Sequence, residues 1–239
     1  MMKYLVIPDV HNHTSEVERQ IVRYPTDRVI FLGDYFDSFG DTPIMAAETA
    51  EWLKDSLQKP GRLHLFGNHD LWYRFPRNPQ ICWVGSGFTP AKSREISAIL
   101  TAEDWEKLKL VEFVGDIALC HAGINETVFS HPVSGVTRSR VEELCGEALA
   151  DAAANIDHRV FSEEGIVWLR WWNFEPLSAF SQFVGHTPSR DLRIECRGGR
   201  CNVCLDTMGR YLGLIEDGRM AVIDDEAGRV VWRQGDATS

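Results

Sequence analysis

Short apolar runs that end abruptly in polar residues recur along most of the chain. Runs of this length, bounded by turn-forming residues, are typical of buried β-strands. The pattern predicts five of them, at residues 3–8, 28–33, 62–67, 116–121 and 182–185. Because segments with a helical period lie between them, we expect strands and helices to alternate in this part of the chain.

Two of these helical segments have the clearest periodicity, residues 42–57 and 138–154. Asp41 is a candidate cap for the first, with Pro43 at an early helical position. From residue 201 onward the pattern changes to closely spaced strands with Asp-Gly and Ala-Gly turn signals, at 201–206, 211–216, 220–224 and 229–233. An α/β sandwich with an antiparallel C-terminal portion fits this order.

No repeat or low-complexity linker divides the 239 residues, so we expect a single domain over 1–239 with a disordered tail after Arg233. The chain carries 25 Lys and Arg against 35 Asp and Glu, a formal charge of −10. Nucleic acids and anionic lipids are bound mainly through clustered basic residues, so we expect neither as a partner. The oligomeric state is left open.

The six cysteines are scattered, and the N-terminus has no features of a signal peptide. Both observations favour reduced thiols and a cytoplasmic location, with disulfides as the minority interpretation. Cys196, Cys201 and Cys204 are closely spaced, but a structural zinc site normally needs four ligands. Small buried side chains in a strand are the simpler interpretation of Cys201 and Cys204.

The polar residues that follow the predicted strands carry the candidate chemistry. They form five blocks: Asp9-Val10-His11, Gly33-Asp34-Tyr35-Phe36-Asp37, Gly67-Asn68-His69-Asp70, His121-Ala122-Gly123 and Gly185-His186-Thr187-Pro188. Open α/β sheets place their sites at the carboxyl ends of strands, so these loops can meet. The blocks offer a ligand set for divalent metals that contains no thiolate: Asp9, His11, Asp34, Asn68, His121 and His186. Six ligands suggest two ions about 3.5 to 4 Å apart, bridged by a carboxylate.

All five blocks, in order, resemble the calcineurin-like metallophosphoesterases. The resemblance implies a four-layer α/β/β/α sandwich of two mixed sheets flanked by helices. It places Asp9 and His11 on the first metal, Asp34 between the metals, and Asn68, His121 and His186 on the second. It also makes His69 the acid catalyst, paired with Asp37. Manganese is the first expectation for both ions, with iron or zinc as alternatives.

Physical reasoning supports these roles. Two divalent ions lower the pKa of a shared water toward about 7 and so supply hydroxide for attack on phosphorus. The leaving alkoxide still needs a proton. His69 is adjacent to Asn68 and cannot easily bind the same ion, so it is free to donate that proton. Asp37, three residues after Asp34, is placed to orient the imidazole.

Finer features favour one branch of that family. The position after Thr187 is Pro188, whereas many phosphodiesterases and nucleases have a second histidine there. The chain resembles instead the branch with serine/threonine phosphoprotein phosphatases and symmetrical diadenosine tetraphosphatases. Ser38 stands where that branch has a phosphate-binding Arg. Arg170, in a Val-Trp-Leu-Arg segment, is the candidate for the remaining phosphate contact, and Arg74 for a replacement of the lost one.

The sequence therefore predicts a metal-dependent phosphoric ester hydrolase, foremost a phosphatase acting on a small phosphate ester or a phosphoprotein. A dinucleoside polyphosphate hydrolase is the first alternative, since aromatic residues near the blocks could stack a nucleobase, although core or rim packing is the preferred interpretation. A phosphodiesterase or nuclease and a non-catalytic scaffold are the others. The acidic charge weighs against a nuclease, and the presence of both Asp37 and His69 weighs against a scaffold.

Overall fold

The computed structural model describes residues 2–81 and 87–236. The helices are α1 (Thr14–Arg23), α2 (Pro43–Ser56), α3 (Asn68–Arg74), α4 (Pro90–Ile99), α5 (Ala102–Trp105), α6 (Glu126–Phe129) and α7 (Arg138–Ala153), with 3₁₀ turns at Arg159–Phe161 and Trp171–Asn173. The strands are β1 (Tyr4–Ile7), β2 (Arg28–Phe31), β3 (Arg62–His64), β4 (Val111–Val114), β5 (Ile117–Cys120), β6 (Ser181–Val184), β7 (Arg193–Arg197), β8 (Arg200–Cys204), β9 (Tyr211–Glu216), β10 (Arg219–Asp224) and β11 (Arg229–Arg233). Among the described helices, none is long and apolar enough to cross a membrane.

The strands form two mixed sheets. The first has the order β11-β10-β9-β1-β2-β3, in which β1, β2 and β3 are parallel and the C-terminal strands add antiparallel to β1. The second has the order β4-β5-β6-β8-β7, with a parallel centre of β5, β6 and β8 and an antiparallel strand at each edge. Both sheets therefore have parallel strands whose carboxyl ends lie at one edge.

Alternate residues of the central strands pack into two different cores. Val6 and Ile30 of the first sheet join Leu119 and Phe183 of the second in a core between the sheets. Their neighbours along the strands, such as Phe31, belong to a separate core beneath the helices. Since successive side chains of a strand point to opposite faces, this alternation makes two sheets packed on each other with helices outside. The expected α/β sandwich of two mixed sheets flanked by helices is confirmed.

Most expected elements are found, with two corrections at the level of single elements. The cap of α2 is Thr42, whose hydroxyl accepts from the Met45 N–H at 3.3 Å, and not Asp41. Asp41 instead pairs with Lys92. The sequence pattern does not predict strands β4 and β7, because Glu112 interrupts the apolar residues of β4, and β7 is largely exposed and charged.

The C-terminal boundary of β11 is Arg233, as the pattern predicts, but the chain is still bonded beyond it. The Gln234 side chain donates to the Ser181 hydroxyl and the Gly199 carbonyl, both at 3.0 Å. The expected disorder directly after Arg233 is therefore wrong for Gln234. The final part of that tail, residues 237–239, lies outside the described residues.

The expectation of reduced thiols is wrong for one pair. Cys196 and Cys201 form a disulfide between β7 and β8, where the antiparallel register places them directly opposite each other. The hairpin that brings them together depends on β7, which the sequence pattern did not reveal. Three other cysteines, Cys120, Cys145 and Cys204, are buried free thiols. Cys82 lies outside the described residues.

Candidate metal centre

All six predicted ligands follow the carboxyl ends of parallel strands, five of them in loops and Asn68 at the start of α3. Those from the first sheet are Asp9 and His11 after β1, Asp34 after β2 and Asn68 after β3; those from the second are His121 after β5 and His186 after β6. The backbone ties the first two loops together, since the amides of Val10 and His11 both donate to the Asp34 carbonyl, at 3.0 and 2.8 Å. The packing of the two sheets thus places donors from distant parts of the sequence at one edge.

Three of these ligands have left-handed backbone conformations. The φ angles of His11, Asp34 and His186 are 41°, 50° and 67°. Residues other than glycine rarely adopt this region, and such strain concentrates at functional sites. Here it turns each side chain sharply out of the direction of its strand and toward the shared edge.

The donors form two clusters that share one residue. Asp9, His11 and Asp34 each offer an atom within 4.8 Å of the others, and Asp34, His121 and His186 do the same. One oxygen of Asp34, Oδ2, lies 3.8 Å from His11 Nε2 and 3.3 Å from His121 Nε2. A carboxylate at this position can contribute to both clusters, as the resemblance implies for Asp34.

Backbone carbonyls orient two of the imidazoles. His11 Nδ1 donates to the Phe36 carbonyl at 2.9 Å, and His121 Nδ1 donates to the Leu32 carbonyl at 3.1 Å. In each ring the Nε2 atom then faces the cluster, and that of His121 lies 3.0 Å from Asn68 Oδ1. A ligating histidine usually donates its other ring N–H to such an acceptor, which fixes the tautomer and the ring orientation.

Two buried polar atoms of the cluster, Asp9 Oδ2 and His186 Nε2, have no hydrogen-bond partner among the residues that the structure describes. The other oxygen of Asp9 accepts the His186 amide at 3.0 Å, so the two residues are held together while these atoms stay unpaired. Burying a polar atom without a partner costs free energy. Carboxylate, amide and imidazole donors suit divalent cations such as manganese, iron and zinc, so the residues present fit a metal centre.

The electrostatics of the edge agree with cation binding. Burial raises the pKa of Asp34, but the neighbouring histidines, foremost His121, outweigh it and hold the carboxylate ionised. Burial lowers the pKa of His121, and the facing carboxylates outweigh that effect and raise it to about 9. Burial and the nearby Asp9 raise the pKa of Asp206 to about 8. Three carboxyl groups thus share this edge, and a cation must displace a proton from His121.

Two glycines allow the loops to approach this closely. A Cβ atom on Gly67 would lie 2.0 Å from Asp34 Oδ1, and one on Gly185 would lie 2.1 Å from Asp9 Oδ2. Any other residue would push the carboxylates out of place. The glycines of the Gly-Asn-His-Asp and Gly-His blocks are therefore required by the geometry of the ligands.

His69 and Asp37 form a hydrogen-bonded pair beside the clusters. His69 Nδ1 donates to Asp37 Oδ2 at 2.9 Å, and the ring of His69 lies 5.4 Å from that of His11, centre to centre. The His69 side chain is 20% exposed, whereas that of Asp37 is 1% exposed. The imidazole can therefore meet a bound molecule while its partner stays away from solvent.

Comparison with protein families identifies the family to which this chain belongs. Residues 2–205 match the family model described as calcineurin-like phosphoesterase. The chain belongs to that family. A search of curated protein sequences gives no match.

Solved structures show the same fold. A cold-active protein-tyrosine phosphatase from a psychrophilic Shewanella species has 14% identity and a TM-score of 0.66, over 98% of this chain and 80% of that one. A serine/threonine protein phosphatase from Saccharomyces cerevisiae has 17% identity and a TM-score of 0.54, over 93% and 80%. At these identities the likeness concerns the fold. Membership of the calcineurin-like family makes the chain a metallophosphoesterase, an enzyme that hydrolyses phosphoric esters with divalent metal ions.

The two arginines expected to contact phosphate occupy different surroundings in this phosphoesterase. Arg170 donates from its Nη1 to the carbonyl of His186 at 3.1 Å, which places its guanidinium beside the second cluster. Arg74 is the last residue of α3, and its guanidinium lies over the Phe75 ring at 5.2 Å. Ser38, which stands in place of the family arginine, accepts from the Asn12 amide at 3.0 Å.

The aromatic residues near the blocks are mostly buried. Tyr35, Phe36 and Trp72 are fully buried and belong to the core beneath the helices. Trp168 packs against both Trp72 and His186, with ring centres 6.1 and 5.7 Å apart. The preferred interpretation of core and rim packing therefore holds for the buried residues, while Trp172 is 70% exposed beside Arg170.

The structure also reveals supporting residues that the sequence pattern does not single out. Asp70 accepts the amides of Asp34, Tyr35 and Gly67 at 2.7 to 2.8 Å, so it fixes the loop that presents Asp34. In the sequence, the position of Asp70 directly after His69 was the signal that could have assigned it to the site. Lys92 contacts Asp37 from a helix 55 residues further along the chain, and such a distant contact leaves no local sequence signal.

Proposed function

We propose that this phosphoesterase is a phosphomonoesterase that uses Asp9, His11, Asp34, Asn68, His121 and His186 to hold two divalent ions, manganese foremost. The observation that carries the proposal is the pair of donor clusters sharing Asp34, with the His69–Asp37 pair beside them. When bound, the ions supply an acidified water as nucleophile and positive charge against the phosphoryl oxygens. Iron and zinc suit the same donors and are the alternatives.

His69 acts as the general acid for the leaving group. Its Nδ1 proton is committed to Asp37, so its Nε2 proton is the one available to the departing oxygen. An alkoxide or phenolate leaving with a proton avoids the build-up of negative charge on oxygen. Asp37 accepts the Nδ1–H of His69 and so fixes the orientation of the ring. This role agrees with the partial exposure of His69 beside a buried partner.

Arg170 contributes the phosphate contact. The bond from its Nη1 to the His186 carbonyl holds the guanidinium beside a proposed ligand. A guanidinium carries further N–H groups, and these are the donors we propose for phosphate oxygens. Arg74 is the second candidate, and it must leave its position over Phe75 to reach the same phosphate. Because Ser38 is neutral, the site has one positively charged side chain fewer than the family branch normally has.

We propose a small phosphate ester or a phosphoprotein as the substrate. The two structural neighbours that share this fold are a tyrosine phosphatase and a serine/threonine phosphatase. Both kinds of enzyme hydrolyse phosphate monoesters, and this supports a monoester as the substrate. Trp172 favours a second candidate, a dinucleoside polyphosphate such as diadenosine tetraphosphate, because an exposed indole two residues after Arg170 can stack a base. No nucleic acid or membrane partner is proposed.

A substrate panel tests the proposal. The protein is stripped of metal, reconstituted separately with manganese, iron or zinc, and assayed with 4-nitrophenyl phosphate, a phosphotyrosine peptide, a phosphoserine peptide, bis-4-nitrophenyl phosphate and diadenosine tetraphosphate. We expect the monoesters to be hydrolysed fastest and manganese to be the most effective ion. Faster cleavage of diadenosine tetraphosphate would establish the second candidate. Faster cleavage of the diester, or no turnover with any metal, would refute the phosphomonoesterase.

Two further predictions accompany this one. We propose that residues 1–239 function as a single domain, a proposal supported by the joining of β9 to β1 within one sheet.

We also propose a cytoplasmic location, supported by the three buried free thiols and opposed by the Cys196–Cys201 disulfide. Thiol counting under denaturing conditions, on protein rapidly alkylated in the cell, tests it: a cytoplasmic protein should have the pair largely reduced.

A further inference from the structure

We infer that Lys92 is a positioning residue for catalysis: its buried ammonium fixes the Asp37 carboxylate in the one orientation that supports His69. The inference rests on the proposed general acid role of His69. Lys92 belongs to α4, outside every sequence block that forms the metal centre. Its side chain is 3% exposed, which is unusual for lysine unless the charge is paired.

The two oxygens of Asp37 have separate partners. Oδ1 accepts from the Lys92 ammonium at 2.5 Å and from the Tyr73 hydroxyl at the same distance. Oδ2 accepts from His69 Nδ1 at 2.9 Å. Because Lys92 and Tyr73 both occupy Oδ1, a rotation of the carboxylate would break two bonds. Oδ2 is thereby reserved for the imidazole.

The local sequence explains how the ammonium reaches this point. Thr89 caps α4 by accepting the Lys92 amide at 3.2 Å, and Pro90 begins the helix, so Lys92 lies in its first turn. The backbone just before the helix runs close to Asp37, since a Cβ atom on Gly87 would lie 2.9 Å from Asp37 Cβ. The helix start therefore delivers a cation to a crowded, enclosed carboxylate.

Lys92 also has a second partner, which must be separated from the first in any test. Its ammonium contacts both oxygens of Asp41, at 2.9 and 3.1 Å. The same Asp41 accepts from the Asn12 amide at 3.2 Å, next to the metal-ligand candidate His11. A purely structural lysine would act through Asp41 and hold the loop, whereas a positioning lysine acts through Asp37.

The electrostatics around Asp37 support the positioning role of Lys92. Burial raises the pKa of Asp37, but hydrogen bonds from His69, Lys92 and Tyr73 outweigh burial and lower it. Burial and the adjacent Asp37 raise the pKa of Tyr73, so its hydroxyl remains a donor. The carboxylate is thus kept ionised without solvent, and two of its three donors lie on the side away from His69. With Lys92 already paired to two carboxylates, its charge is directed at them and not at a substrate phosphate.

Leaving-group dependence tests the inference in the manganese-loaded enzyme. We compare Lys92→Met with Asp41→Asn, and use Lys54→Met as the matched control, since Lys54 of α2 donates to the Ile99 carbonyl at 2.7 Å at the end of the same helix α4. The substrates are phenyl phosphate, whose leaving group needs a proton, and 2,4-dinitrophenyl phosphate, whose leaving group does not. Both kcat and KM are measured.

Lys92→Met should lower kcat for phenyl phosphate by about 10- to 100-fold, with a much smaller loss for 2,4-dinitrophenyl phosphate and little change in KM. Asp41→Asn and Lys54→Met should keep the wild-type ratio of the two kcat values. An unchanged ratio in Lys92→Met, or the same altered ratio in Asp41→Asn, would overturn the inference. If Lys92→Met alone does not fold, the double variant Lys92→Met with Asp41→Asn removes one charge of each sign and takes its place.

A second readout does not require turnover. In the zinc-loaded, diamagnetic protein, the proton shared by His69 and Asp37 should give a low-field NMR resonance, assigned by its disappearance in His69→Asn. Lys92→Met should shift or abolish this resonance, and Lys54→Met should not. A resonance unmoved in Lys92→Met would overturn the inference. If the wild type hydrolyses none of the phosphates, the phosphatase proposal fails, while this measurement still decides whether Lys92 holds the Asp37 carboxylate in place for His69.

Discussion

Two regions of the molecule bury a histidine among aromatic side chains, and they treat it in opposite ways. At the end of β3, His64 has both ring nitrogens satisfied, one by the Tyr35 hydroxyl and one by the Ser56 hydroxyl, each at 3.0 Å. Its ring stacks on Phe31 with centres 4.3 Å apart. At the candidate metal centre, His186 is buried beside Trp168, and its Nε2 atom has no hydrogen-bond partner within residues 2–81 and 87–236.

Burial lowers the pKa of both rings, that of His64 to about 3 and that of His186 well below its ordinary value. Both are therefore neutral at pH 7, so charge does not distinguish them. The difference lies in the hydrogen bonds of the ring nitrogens: both are bonded in His64, whereas the Nε2 atom of His186 has no partner among the described residues and lies in a cluster with Asp34 and His121. A buried histidine with both nitrogens bonded stabilises the fold, whereas one with an unpaired nitrogen is prepared for a cation.

The largest expected effect comes from Asp34→Asn, which removes the carboxylate shared by the two clusters. We expect both ions to bind much more weakly and turnover to fall by about 10⁴-fold, since metal charge supplies several kcal/mol of transition-state stabilisation. Isothermal titration calorimetry and a metal-dependent shift in Tm measure binding without activity. The metal-free variant should unfold at a lower temperature than the wild type, because the ionised Asp34 carboxylate interacts favourably with His121 and the other neighbouring histidines. Two tightly bound ions in this variant would refute the bridging role.

His69→Asn should have the next largest effect. We expect kcat to fall by about 100-fold or more for poor leaving groups, because no acid remains to protonate the departing oxygen, while metal stoichiometry stays at the wild-type value. Elemental analysis of the purified variant and steady-state kinetics on a series of aryl phosphates provide the measurement. Unchanged turnover with phenyl phosphate would remove His69 from the mechanism.

His64→Gln addresses the other side of the comparison. It should cost about 2 kcal/mol of unfolding free energy through imperfectly replaced hydrogen bonds, and leave metal affinity of the folded protein unchanged. The pKa of His64 is about 3 in the folded state against 6.5 ordinarily, so between these pH values the unfolded chain binds the extra proton. Wild-type stability should therefore rise with pH across that window, by at most about 1.4 kcal/mol per unit from this group.

Urea unfolding from pH 3.5 to pH 8 tests this reasoning. The variant lacks the titrating ring, so its deficit relative to the wild type should be greatest above pH 6.5 and should shrink as the pH falls. A deficit that grows toward low pH, or a loss of metal binding, would contradict the structural role of His64.

Arg170→Ala should have the smallest effect on the reaction. Loss of a charged hydrogen bond to phosphate should weaken inhibition by phosphate or vanadate by about 10-fold. Arg74→Ala is the matched variant, because Arg74 is the other predicted phosphate contact but stacks on Phe75. A smaller effect in Arg74→Ala would rank Arg170 first. Equal weakening in the two variants would make Arg74 a second clamp, and unaltered inhibition in Arg170→Ala would exclude the contact.

The proximity of the six candidate ligands could be predicted because each follows a buried strand closely in the sequence. The carboxyl ends of parallel strands meet at one edge whatever the helices do, so the order of the blocks was enough to bring Asp9 and His186 together in expectation, although 177 residues separate them. The supporting residues could not be found in this way. Tyr73 and Lys92 reach Asp37 from helices, where the local pattern indicates only a face to be buried.

The lack of a local signal for contacts between distant residues also explains why the sequence pattern did not predict the ion pair of Asp41 or the Cys196–Cys201 disulfide. Asp41 has the chemistry of a helix cap and lies directly before Thr42 and Pro43, and only the position of the Lys92 ammonium shows that its carboxylate serves an ion pair. The cysteines lack such a signal too, because their spacing does not reveal a polar edge strand. Once β7 pairs with β8, the register places Cys196 and Cys201 opposite each other.

By itself, the sequence determined the alternation of strands and helices, the family and the residue types of the candidate metal centre, because these depend on local periodicity and on short blocks at strand ends. Only the tertiary structure decided which atoms remain without partners. His64 and His186 are single histidines of similar burial, and what separates them is whether hydroxyl groups from other elements occupy their ring nitrogens. The orientation of the Asp37 carboxylate was decided in the same way, since hydrogen-bond satisfaction depends on contacts between residues far apart in the chain.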